Sequence, residues 1–141
     1  MDVADVMSAE VEFIAADATV QQAAELMGEL DVGGLPVGAP ADLRGVVTDR
    51  DLLYRVIAAG RDPAAMRVRE AMTTPAIGCR ASDDLRVAMD LMTAQNFRRL
   101  PVQDAQGKVV GWVTLADIAR RLLVDEPAVQ QALRGVTEPP G

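Results

Sequence analysis

The sequence predicts an α+β fold in which one unit is written twice and the two copies pack about a pseudo-twofold axis. Three observations predict it. Displaced by 65 residues, the chain matches itself without a gap from Val3 to Val37, which brings Val3 onto Val68, Met7 onto Met72 and Leu35-Pro36-Val37 onto Leu100-Pro101-Val102. Past the proline the offset becomes 66, and GVVTDRDL at 45–52 falls on GWVTLADI at 111–118. The extra residue lies between GAPADLR and QDAQGKVV, polar stretches where a surface loop tolerates a change of length. Finally, both copies parse in one order: strand, helix, strand, strand, helix.

The elements follow in turn. VEFI and AIGC are short extended pieces. Each precedes a helix whose apolar residues recur at helical spacing, Val20, Ala23, Ala24 and Met27 in one copy and Leu85, Ala88, Met89 and Met92 in the other. Asp17 and Thr19 mark the first helix start, and Ser82, Asp83 and Asp84 the second. GLPV or RLPV, a polar loop, and LRGVV or KVVGWV then give two strands of a hairpin. The last helix of each copy should face inward with Leu52, Leu53, Val56 and Ile57, or Ile118, Ala119, Leu122 and Leu123. These elements set the boundaries: residues 1–59 and 68–124 for the copies, 60–67 (GRDPAAMR) for a linker, and 125–141 for an extension. In that extension EPAVQQALRG could form one more helix and VTEPPG should be frayed. A three-stranded sheet with two helices would leave much of its face bare, so the copies should cover each other.

Composition excludes several functions. The chain has 141 residues, 50% hydrophobic and 25% charged, which suits a globular core; only 3% are aromatic, too few for a base-stacking platform. The net charge of −7 opposes non-specific attraction to nucleic acid or anionic lipid. The opening MDVADVMSAE lacks the basic and apolar parts of a signal peptide, and no apolar run approaches membrane-spanning length. The cytoplasm is the expected location. With no histidine and one cysteine, Ser-His-Asp and Cys-His machinery and the common zinc ligand sets are excluded. Cys79 is either a small buried apolar residue or a redox-active thiol.

The repeated Thr-x-x-Asp carries the chemistry. Thr48 with Asp51, and Thr114 with Asp117, stand where a strand ends and a helix begins, beside free N–H groups and the positive end of the helix dipole. Each pair could cap its own helix, worth about 1 kcal/mol, or its carboxylate could accept hydrogen bonds from vicinal hydroxyls; the two roles are compatible. Arg50 precedes Asp51 and Arg98-Arg99 precede Leu100-Pro101-Val102. Arginine–phosphate bonds are worth about 1.5–3 kcal/mol and match phosphate geometry, although these arginines could equally partner the abundant carboxylates. Trp112, in place of Val46, could cover a base or fill the core.

With its two LPV segments, two Gly-h-h-Thr-x-x-Asp-h segments (h, apolar) and two Val-x-x-x-Met openings, the chain resembles over residues 3 to about 124 the tandem CBS domain family, the Bateman module. It looks most like the small stand-alone two-CBS proteins of bacteria, including the hypoxic-response type. The resemblance implies a cleft between the copies with two related sites for adenosine-containing ligands such as AMP, ADP or ATP. The aspartate would hold the ribose and the threonine would lie near ribose or phosphate. It points to Thr48 and Asp51 with strand residues Val11 and Phe13 for one site, and to Thr114 and Asp117 with Ala76 and Ile77 for the other. It also implies that Arg98 and Arg50 serve the Asp117 site, where the Asp51 site has only Gly33 and Ala116. The phosphate is accordingly expected at Asp117.

The function expected is a regulatory or sensing module with no catalysis and no required cofactor, paired as a homodimer through its helices and reporting to a separate effector protein. A ligand-free interaction module is the alternative. Nucleic-acid or membrane partners are not expected, and no nucleophile–base pair points to an enzyme.

Overall fold

The structure, a computed structural model, describes residues 1–124; the helix and frayed tail expected over 125–141 lie outside the described residues. After a 3₁₀ turn at Val3–Asp5 come α1 (Val20–Leu30), β1 (Gly34–Ala39), β2 (Asp42–Thr48) and α2 (Asp49–Leu52), which continues as a π turn over Leu53–Ile57. The second copy supplies α3 (Val68–Ala71), β3 (Cys79–Arg80), α4 (Leu85–Gln95), β4 (Arg99–Gln103), β5 (Val109–Thr114) and α5 (Leu115–Val124). Thr19 starts α1 with a capping box: its Oγ1 accepts from the Gln22 N–H at 3.1 Å, and the Gln22 side chain accepts from the Thr19 N–H at 2.9 Å. Asp84 caps α4 by accepting from the Arg86 N–H.

Both expected hairpins form, β1 with β2 and β4 with β5, each antiparallel. The extended openings pair less than expected. AIGC contributes only Cys79 to β3, which runs parallel to β4, and VEFI contributes a single bridge from Ile14 to Val37. Pro36 and Pro101 explain the shortfall, since each stands where an N–H would carry the ladder further.

The copies exchange their openings. Val3 is fully buried in the core of the second copy, among Leu85, Ala88, Leu100, Val113 and Ile118. Val68 is buried in the core of the first, among Ala23, Leu35, Val37 and Val47. Ser8 pairs with Trp112 and, at the repeat-related positions, Thr73 pairs with Val46. Such reciprocity is what a pseudo-twofold relation requires. It also explains the first glycine of the repeated motif: a Cβ on Gly45 would lie 2.8 Å from the Thr73 carbonyl oxygen, and one on Gly111 would lie 3.0 Å from that of Ser8.

The linker is packed, with Met66 buried beside Val20, Val56 and Ala71 and its carbonyl accepting from the Val20 N–H. The inward faces of the last helices are narrower than expected: Val56 and Ile118 are buried, whereas Leu53 is 53% exposed, Ile57 64%, Leu122 40% and Leu123 48%. In the first copy, where the helix continues as a π turn, burial runs from Asp51 and Leu52 to Val56 and leaves Leu53 and Ile57 outside.

Candidate functional site

The sequence VVTDRDL turns from strand to helix at Thr48, and the turn fixes Asp51. Thr48 Oγ1 accepts from the Asp51 N–H at 3.1 Å, and Asp51 Oδ2 accepts from the Thr48 N–H at 3.0 Å. Both halves of the expected cap are present. Among the described residues Asp51 is the one buried charged side chain, 8% exposed, so its oxygens need partners beyond the cap. Thr73 donates its hydroxyl proton to Oδ1 at 3.0 Å, and Arg55 Nη1 stands 3.6 Å from the same oxygen. Arg55 Nη1 also donates to the carbonyls of Ala71 and Met72, at 2.8 and 2.9 Å. The exchanged opening of the second copy is thus bound directly to the motif of the first.

Beside this network a cavity of about 460 Å³ opens at the seam between the copies. The first copy lines it with Thr48, Asp49, Arg50, Asp51 and Arg55, the second with Thr73, Ile77, Phe97, Arg98 and Arg99. Arg99 is anchored: its Nη1 donates to the Gly33 carbonyl at 3.0 Å and lies 3.7 Å from Asp49 Oδ1. Gly33 and Gly34, repeat-related to Arg98 and Arg99, have no side chains to fill the space that Arg99 occupies. Arg50 lies over the Tyr54 ring, 5.6 Å from its centroid. Four guanidiniums against two carboxylates leave this wall positive in a chain of net charge −7.

The motif of the second copy is placed differently. Thr114 Oγ1 accepts from the Asp117 N–H at 3.1 Å, while the Asp117 carboxylate lies 3.5 Å from Arg120 and is 36% exposed. It borders a shallow depression of about 270 Å³ shared with Asp5, Arg120 and Arg121. The expected grouping is therefore corrected: Arg98 and Arg50 share a cavity with Thr48 and Asp51, not with Thr114 and Asp117. Although the Leu115 N–H donates to the Arg98 carbonyl beside the second motif, Arg98 lines the cavity at Asp51 and the Arg99 side chain crosses the seam to Gly33 and Gly34 of the first copy. Ile77 likewise faces Asp51 rather than Asp117. Val11, Phe13 and Ala76 are half-buried and line neither cavity, as does Trp112, whose backbone pairs with Ser8.

Sequence reasoning passed over Thr73 and Arg55. Each left a signal: Ser8 preserves the hydroxyl at the position related to Thr73, and Arg121 the guanidinium at that of Arg55. Cys79 follows its plain reading. It is 4% exposed, and burial, reinforced by the charge of Asp83, pushes its thiol up to about 11. Among the described residues no group of three or more histidine, cysteine, aspartate or glutamate side chains is arranged to hold a metal ion, and no helix is long and apolar enough to cross a membrane.

The CBS domain profile matches residues 3–58 and 68–124. The chain is 37% identical over 126 residues to the CBS domain-containing protein YhcV of Bacillus subtilis, covering 89% of both chains. It is 34% identical over 136 residues to Hypoxic response protein 1 of Mycobacterium tuberculosis, covering 96% of this chain and 93% of that one. Among solved structures, a proposed signal-transduction protein with CBS domains from Burkholderia ambifaria superposes with a TM-score of 0.81 at 29% identity, over 88% of this chain and 93% of that one. Hypoxic Response Protein I, solved with two coordinated zinc ions, superposes with a TM-score of 0.76 at 34% identity, over 85% and 98%.

Proposed function

Because this chain belongs to the CBS domain family, and its two motifs make it a regulatory CBS pair, we propose that it senses an adenosine-containing nucleotide in the seam cavity at Asp51, without catalysis of its own. One observation carries this reading: a buried carboxylate, aimed by Thr48 and Thr73, shares a cavity of about 460 Å³ with Arg50 and Arg98. That volume lies in the range of small-molecule sites. An ionised carboxylate has about four lone-pair sites, so Asp51 keeps capacity for a ribose diol beside its two short hydrogen bonds. Ile77 and Phe97 offer apolar surface to a base, and Arg50 and Arg98 meet a phosphate. A ligand touching both copies would shift their relative packing by its differential affinity for the two arrangements.

Self-association is the second part of the proposal. Leu53, Tyr54 and Ile57 form an exposed apolar face on the helix that carries Asp51 and Arg55, and a second copy of the chain would cover it. The structural neighbours include a hexameric CBS-CP12 protein from bloom-forming cyanobacteria. The zinc of Hypoxic Response Protein I does not carry over, because the donor set does not fit: this chain has no histidine, and its one cysteine is a buried, protonated thiol.

Thermal unfolding with AMP, ADP and ATP tests the nucleotide reading. Stabilisation is expected for the unaltered chain and for Asp117→Ala, and a smaller shift for Arg98→Ala, whose exposed side chain leaves the core intact. A ligand at 100 times its dissociation constant adds about 2.7 kcal/mol. No shift for any nucleotide at millimolar concentration would favour a ligand-free interaction module instead.

A further inference from the structure

The four arginines of the cavity are not equally available. Arg55 stands 3.6 Å from Asp51 and Arg99 stands 3.7 Å from Asp49, so two of the positive charges are already met by the two carboxylates of the wall. Arg50 and Arg98 are both exposed, and neither has a carboxylate within ion-pair distance among the described residues. Arg50 rests on the Tyr54 ring, which leaves its charge uncompensated. The repeat-related positions hold Ala116 and Gly33, so the repeat does not supply this pair of arginines a second time.

Resting on the nucleotide reading of the cavity, we infer that the site selects by phosphate number and is matched to a nucleoside monophosphate. A phosphate monoester carries about −1.5 to −2 charges at pH 7, which two guanidiniums offset. Each further phosphate adds about one more negative charge with no unpaired cation on the wall to meet it. A longer phosphate chain has to draw Arg99 from Asp49 or Arg55 from Asp51, and either exchange leaves a carboxylate facing an anion. The surplus charge also meets the field of a chain whose net charge is −7. Arg50 and Arg98 are therefore the residues that set the preference, while Asp51 serves the sugar common to all adenine nucleotides.

Calorimetric titration of the full chain at low salt with a chelator, using adenosine, AMP, ADP and ATP in turn, tests this. AMP is expected to bind tightest, with each added phosphate weakening binding about three- to tenfold; that spread should narrow as salt is raised. Magnesium should recover part of the ATP deficit by offsetting its surplus charge. Arg98→Gln should remove most of the advantage of AMP over adenosine, whereas Asp117→Ala, outside this cavity, should leave that advantage intact. ATP binding as tightly as AMP without magnesium would overturn the selectivity and leave the nucleotide reading standing. Failure of all four to bind would remove both.

Discussion

The Thr73 hydroxyl donates to Asp51 at 3.0 Å, across 22 residues of sequence and from one repeat to the other. The bond reaches the one buried charged side chain described, so it contributes to folding whether or not a ligand is present. Thr73→Val keeps the shape and removes the donor; it should cost about 1.5–3 kcal/mol in urea unfolding, the range for a hydrogen bond to a charged group. Ser8→Ala should cost little, since the Ser8 hydroxyl donates instead to the Glu10 carbonyl in an exposed turn. Equal losses would show that Asp51 does not depend on Thr73.

Gly45 and Gly28 should respond to alanine in opposite directions. Nothing lies within 4 Å of a Cβ built on Gly28, which sits inside α1, so Gly28→Ala should stabilise by about 0.5–1 kcal/mol. A Cβ on Gly45 meets the Thr73 backbone, so Gly45→Ala has to displace the exchanged opening and should destabilise by about 1–3 kcal/mol. Chemical denaturation of the two variants reads both signs directly.

Cys79 makes stability depend on alkaline pH. Burial first, and the charge of Asp83 second, favour the neutral thiol, so the folded chain holds this proton up to about 11, against an ordinary value of 9.0. The contribution is whole below pH 9 and is lost as pH rises toward 11, a loss on the order of 2–3 kcal/mol. Cys79→Ala should show a shallower fall in stability over that window, measured as the difference between the two proteins. The native thiol should also react slowly with a thiol reagent at neutral pH and rapidly once the chain is unfolded.

Ile57 tests the self-association surface. It is 64% exposed on a helix whose inward residue, Val56, is 2% exposed, so Ile57→Glu alters the surface without entering the core. Sedimentation velocity should show a shift toward monomer with the folded far-ultraviolet spectrum retained. An unchanged sedimentation coefficient would remove this face from the proposed self-association.

Much of this protein is legible in the sequence because a duplicated pattern reports local chemistry twice. Thr19, Thr48 and Thr114 have to accept from the N–H groups that open their helices, and those contacts span only three residues. The hairpins follow from neighbouring β-rich runs, and the buried Met27 and Met92 follow from helical spacing. The repeat, the family and the capping role of the motif were accessible from the residues alone.

Tertiary structure decided which copy of the motif meets the arginines. Arg98 stands next to the second motif in the hairpin, yet its side chain shares a cavity with Asp51. No register in the sequence tells on which side of a seam a long side chain will lie. The exchange of Val3 and Val68 between cores sets how the copies meet, and the glycine pair at 33 and 34 leaves room for the neighbouring Arg99. The exposure of Ile57 and its repeat-related Leu123 was equally out of reach, because an apolar period does not tell which apolar residues of a helix the rest of the chain covers. Sequence patterns encode contacts between near neighbours, whereas the site depends on residues as far apart as Gly33 and Arg99, which only the packing of the two copies brings together.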